Sequence, residues 1–179
     1  HKRVKKKYKI AYFSPDFRNH PVIHLIKDLF KYHDKSKFEI YAFSFEPEKN
    51  DEITENIKKL FKEFIEVKDK SDEDIIKKSK ELEIDIAIDL CGFTAFNRIK
   101  LFSKRVAPIQ INYLGYPGTM GSTFFDYIIG DKILIEENDK KYYSEKVLNL
   151  KNCYQPNSSY VKFEKNLLTK KDFGLPENK

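Results

Sequence analysis

Hydrophobic positions along the chain fall into short blocks that switch between two periods. Residues 9–15, KIAYFSP, are an apolar run closed by Ser-Pro, the pattern of a buried strand that stops abruptly. Val22, Ile26, Leu29, Phe30 and His33 then recur at helical spacing, with Lys27, Asp28 and Lys31 on the opposite side. Pro21 sits in the first turn of that helix, where a missing N–H does no harm. FEIYAFSF, residues 38–45, reads as a second strand, and Ile53, Ile57, Leu60, Phe61 and Phe64 mark a second helix. FIEV, residues 64–67, fits a short third strand. Ser71 with Asp74 has the form of a capping box, and Ile75, Ile76, Ser79 and Leu82 share one face of a third helix. IDIAIDL (84–90) and PIQINYL (108–114) are the fourth and fifth strands, with a short helix around 98–104 between them. DYIIG (126–130) and KVLNL (146–150) complete the set.

Strands that alternate with helices of about ten residues imply parallel pairing through right-handed crossovers. The expected fold class is α/β: a Rossmann-like, doubly wound, mostly parallel sheet over residues 9–151. Residues 1–8 read as a basic arm or linker. From Asn152 the periodicity weakens, so 152–179 reads as a linker toward something further.

Composition narrows this picture. With 179 residues, 40% hydrophobic and 15% aromatic, there is material for one sizeable core. The 35% charged residues cover a polar surface rather than a disordered chain, because the apolar residues are periodic. The net charge of +6 is concentrated in HKRVKKKYK at the amino end, which favours a solvated arm over a nucleic-acid patch. No basic-aromatic surface for nucleic acid and no apolar run near the ~20 residues of a membrane span is present. Cys91 and Cys153 are far apart and lack metal spacing, which fits a reducing compartment and a cytoplasmic location. No apolar segment of a signal peptide follows the charged amino end. The chain opens without Met and stops on LPENK, as an excised piece of a longer protein would.

Ligands of open parallel sheets bind beyond the carboxyl ends of the strands. SPDFRNHP follows the first strand, CGFTAFNR the fourth and GYPGTMGS the fifth, so His20, Asp89, Thr94, Tyr116, Gly118 and Thr119 are expected at one crevice. These loops hold four of the six glycines. His20 begins a helix, beside unsatisfied N–H groups and the positive dipole end, which suits a neutral ring acting as base or hydrogen-bond partner; a plain helix cap is the alternative. His24 reads as a polar-face residue, His33 as core or cap, and His1 as a tag remnant. His20 and His24 lack a third ligand close in sequence, so no metal site is expected. Asp89 ends a strand on the same side as Asp85. It is either a candidate base or a structural acceptor for the loop's own N–H groups. LGYPGTMGS is neither GxGxxG nor a Walker A loop; it is a close-approach surface for a ligand or a plain turn.

Taken in order, DFRNHPVIHL, DLCGFTAFNR, APIQINYLGYPGTMGSTFFDYIIGD, YSEK and YQPN resemble the catalytic region of the protein O-linked N-acetylglucosamine transferases, in particular bacterial relatives that carry TPR repeats ahead of it. The Spindly-type protein O-fucosyltransferases and the bacterial cytoplasmic N-glycosyltransferases share that scaffold. The resemblance implies the amino-terminal lobe of a GT-B enzyme, with the nucleotide-binding carboxyl-terminal lobe missing. It implies a nucleotide sugar, UDP-GlcNAc foremost, as donor and a protein or peptide as acceptor, with no cofactor, no metal and inversion at the sugar. On it, His20 matches the histidine of an HP motif proposed as general base. Asp89 falls near a second proposed base. Thr94 matches the threonine of a GYT segment, Pro117, Gly118 and Thr119 match a PGT loop near the sugar and acceptor, and Asn19 and Tyr116 beside these motifs are further candidates for substrate binding. Phe93 replaces a usual tyrosine, Cys91 stands at a variable position and Met120 replaces a small residue, which blurs donor and acceptor preference. The alternatives on this scaffold are a fucosyl- or N-glycosyltransferase, or a binding domain that has lost catalysis.

Overall fold

The computed structural model describes residues 7–46, 51–157 and 169–176. Most of the basic arm, His1 and part of the carboxyl-terminal linker lie outside the described residues. Seven strands, β1 (Tyr8–Ser14), β2 (Phe38–Ser44), β3 (Glu63–Glu66), β4 (Ile86–Asp89), β5 (Ile109–Asn112), β6 (Tyr127–Gly130) and β7 (Lys146–Asn149), form one sheet in the order 3-2-1-4-5-6-7. Every neighbouring pair is parallel.

The central strands β1, β2, β4 and β5 are largely buried on both faces, as parallel sheets are, while the edge strands β3 and β7 are more exposed. Alternate residues of β1 enter opposite clusters: Ile10 and Tyr12 pack with Ile23, Ile26 and Phe30 of helix α1 (Pro21–Tyr32) and Ile57 of α2 (Glu52–Lys58). Ala11 and Phe13 pack with Ile75 of α3 (Asp72–Glu81) and Leu101 and Phe102 of α4 (Lys100–Ser103). The helices that carry the chain from β1 outward to β3 thus cover one face, and those that bring it back through β4 to β5 cover the other. That change of side places a topological switch point between β1 and β4, and open parallel sheets bind ligands beyond the carboxyl ends of the strands at such a point.

The helices begin as their sequences indicate. Ser71 accepts from the Asp74 N–H at 3.1 Å and donates to its carboxylate at 2.8 Å, and Asp51 caps α2 by accepting from the Thr54 N–H at 2.7 Å. One boundary differs from the periodic pattern. Helix α2 stops at Lys58, and Phe61 and Phe64 leave it. Phe61 instead enters an aromatic cluster, with its ring centroid 4.8 Å from that of Phe30 and 5.7 Å from that of Phe17. The Lys62 N–H then joins the sheet at the Ile40 carbonyl, and Phe64 and Ile65 point to opposite faces as a strand requires. The aromatic spacing suits helix and strand entry alike; burial beneath α1 decides between them. Beyond β7 the chain stays on the sheet as far as Tyr154, whose N–H donates to Asp131 and whose carbonyl accepts from the Tyr113 hydroxyl.

Candidate active site

The turn after β1 is tightly constrained. The Ser14 hydroxyl accepts from the Asp16 N–H at 3.0 Å, and the Arg18 N–H closes a tight turn on the Asp16 carbonyl. The turn is also pinned to α2, since Thr54 donates to the Phe17 carbonyl and Asp51 accepts from the Asn19 N–H at 2.8 Å. His20 is the N-cap of α1: its backbone is extended and its Nδ1 accepts from the Val22 N–H at 3.3 Å. Asp16 Oδ2 lies 3.6 Å from the same Nδ1, while Oδ1 accepts from Arg18 at 3.1 Å. Burial raises the Asp16 carboxyl, against the pull of His20 and Arg18. Asn19 has its side-chain oxygen 2.7 Å from His24 Nε2.

After β4, Asp89 turns inward. It is 2% exposed, and its two oxygens accept from the Cys91 and Gly92 N–H groups at 3.0 Å each. Burial pushes its carboxyl up to about 6, opposed by those two donors. The acceptor role for the loop is therefore filled. Thr94 donates to the Cys91 carbonyl at 2.8 Å and its hydroxyl lies 3.0 Å from the Cys91 sulfur. Burial drives the Cys91 thiol up to about 12, which leaves it inert as a nucleophile.

The turn after β5 presses on the turn after β4. A Cβ on Gly115 would stand 2.0 Å from the Leu90 carbonyl oxygen, and one on Gly92, whose φ is +58°, would stand 2.4 Å from Tyr116 Cβ. The Tyr116 ring meets Phe93 edge-on at 5.4 Å between centroids. Asn112 Nδ2 reaches up from the end of β5 to the Tyr116 and Gly118 carbonyls, at 2.9 and 3.2 Å. Thr119 donates to Glu145 at 2.7 Å, and the Met120 N–H donates to the same carboxylate at 2.6 Å. Tyr143 donates to the Pro117 carbonyl at 3.3 Å.

Thr94, Tyr116, Pro117, Gly118 and Thr119 thus belong to one packed pair of turns. His20 stands on the turn after β1, with Asp16 Oδ2 3.6 Å from its Nδ1, and β1 is the strand beside β4. Three residues that hold the site carried no signal on their own: Asp16, Asn112 and Glu145. Glu145 in YSEK has the local look of a solvated charge before an exposed strand, yet it is 4% exposed. Among the described residues, no group of three or more His, Cys, Asp or Glu side chains is placed to hold a metal ion. No helix among them is long and apolar enough to cross a membrane.

Known proteins are similar to this chain in sequence and fold. A plant protein named a probable UDP-N-acetylglucosamine–peptide N-acetylglucosaminyltransferase, SEC of Arabidopsis thaliana, is 33% identical over 180 residues, covering 97% of this chain and 18% of its own length. The UDP-N-acetylglucosamine–peptide N-acetylglucosaminyltransferase of Caenorhabditis elegans is 29% identical over 157 residues, covering 87% of this chain and 13% of its own. The solved structure of a Thermobaculum terrenum O-GlcNAc transferase mutant superposes with a TM-score of 0.81 at 28% identity, over 84% of this chain and 29% of that one. This chain therefore spans less than a fifth of the length of the Arabidopsis thaliana and Caenorhabditis elegans relatives. The profile of glycosyl transferase family 41 matches residues 1–170, and the chain belongs to that family.

Proposed function

We propose that this chain is the acceptor-side half of the active site of a nucleotide-sugar-dependent protein glycosyltransferase. The whole enzyme then moves N-acetylglucosamine from UDP-GlcNAc to Ser or Thr hydroxyls with inversion. The observation that carries this is His20: it stands at the switch point of the sheet, Asp16 Oδ2 lies 3.6 Å from its Nδ1, and its Nε2 makes no hydrogen bond to the described residues. The printed names of the relatives support the donor and the peptide acceptor.

In this mechanism the acceptor oxygen bonds to the anomeric carbon, its proton passes to His20, and the bond from that carbon to the diphosphate breaks, with the electron pair leaving on UDP. The turn at 117–119 lies against the sugar, and Asp89 contributes by fixing the turn at 91–94. Stabilisation of the departing diphosphate falls to side chains and helix dipoles of a second lobe, without a metal. Both cysteines are free thiols, which supports a cytoplasmic setting.

The test is turnover by the full-length protein. His20→Ala should lower it by at least ~100-fold, and an unchanged rate removes His20 from the chemistry. Offering UDP-GlcNAc, UDP-glucose and GDP-fucose in parallel identifies the donor, and preference for either of the last two replaces N-acetylglucosamine in this scheme. The isolated 179 residues should show negligible transfer.

A further inference from the structure

We infer that Asp16 is the positioning residue that makes His20 a base, by drawing the ring proton onto Nδ1. This rests on the role proposed for His20 above. The helix cap and the base use one nitrogen in opposite ways. To accept from the Val22 N–H, Nδ1 needs its lone pair, which leaves the proton on Nε2. In that tautomer the free side of the ring is a donor and cannot take a proton from an acceptor hydroxyl. With the proton on Nδ1, Nε2 carries the lone pair and can act as a base.

Asp16 is placed to favour the second tautomer. Its Oδ2 stands 3.6 Å from Nδ1, and the competing bond from the Val22 N–H is long at 3.3 Å. Contacts of this kind tighten when substrate binds. The carboxylate itself has little freedom: Ser14 accepts from its N–H, Arg18 takes Oδ1, and the residue is 7% exposed. The charged and titratable groups around it are Arg18 and His20 on the same turn, Glu46 after β2 and the Cys91 thiol after β4. Burial raises the carboxyl and Glu46 adds to this, while His20 and Arg18 favour its ionised form. During transfer the acceptor proton goes to Nε2 and the Nδ1 proton stays in place, hydrogen-bonded to Asp16. The carboxylate thus stabilises the imidazolium without becoming protonated.

Three measurements on the full-length protein test this. Asp16→Asn should lower kcat at least ~10-fold with the KM for UDP-GlcNAc unchanged. It should also move the acidic limb of the kcat–pH profile to lower pH, because a negative charge beside the ring is gone. Nitrogen-15 spectra of the His20 ring, assigned with His20→Gln, should show the Nδ1–H tautomer in the wild type and its loss in Asp16→Asn. Asp16→Glu, which keeps the charge, should restore the tautomer and part of kcat. A wild-type kcat and pH profile in Asp16→Asn, in a protein that His20→Ala inactivates, overturns the inference. So does a wild-type ring held wholly as the Nε2–H tautomer, a result that needs no folded variant. Full activity in His20→Ala would instead remove the role proposed for His20, while the spectra still report on Asp16.

Discussion

The Thr119 hydroxyl donates to Glu145 at 2.7 Å, and this bond fastens the turn after β5 to the start of β7, across the intervening β6. Together with the Met120 N–H on the other carboxylate oxygen, it fixes the backbone that is proposed to face the sugar. Glu145→Ala would leave the Thr119 hydroxyl, the Met120 N–H and the Ser144 hydroxyl without this buried acceptor, a loss of about 3 kcal/mol. Glu145→Gln keeps one acceptor and should lose about 1 kcal/mol. Urea unfolding of both variants checks the order; equal stabilities would show that the carboxylate does not hold the turn.

The glycines of the two packed turns differ in what constrains them. Gly115→Ala drives a methyl group into the Leu90 carbonyl and should cost roughly 3 kcal/mol. Gly121 has φ +58° but open space around it, so Gly121→Ala should cost only about 1 kcal/mol of backbone strain. Thermal melting of the pair should separate them, with Gly115→Ala far the lower.

Asp89 gives the fold a pH dependence of unusual sign for a carboxylate. Burial raises it from 3.8 to about 6, so the folded chain holds this proton more tightly than the unfolded one. The contribution is favourable below the unfolded value, declines as pH rises between the two values, and above about 6 leaves the fold roughly 3 kcal/mol worse off than at low pH. Other carboxylates, Asp51 and Asp126 among them, are lowered and act in the reverse direction. The difference in unfolding free energy between wild type and Asp89→Asn isolates the effect: it should decline from about pH 4 to about pH 7, and a flat difference would remove it.

Tyr113 holds the segment beyond β7 through its hydroxyl on the Tyr154 carbonyl at 2.7 Å. Tyr113→Phe should cost about 1 kcal/mol and speed amide exchange at residues 154–157 while leaving β5 protected. Unchanged exchange there would mean that the Asp131 bond to the Tyr154 N–H suffices.

The elements of this fold were legible because each one repeats its pattern locally. KIAYFSP, IDIAIDL and PIQINYL become β1, β4 and β5, and Pro21 and Ser71 mark the starts of α1 and α3. The end of α2 was not legible, because Phe61 and Phe64 satisfy a helical stripe as well as they satisfy an aromatic cluster and a strand.

The site divides along the same line. That DFRNHP, CGFTAF and GYPGT follow strands, and so gather at one end of a parallel sheet, is carried by the order of residues alone. Which polar groups then meet is not. Asp16 facing His20, Asp89 facing inward to its own loop, and Glu145 holding Thr119 depend on which strands are neighbours and how closely the turns press together. Periodicity is a property of adjacent residues. The partner of a buried carboxylate is set by groups that the sheet order brings up from far along the chain, and only the packed structure selects them.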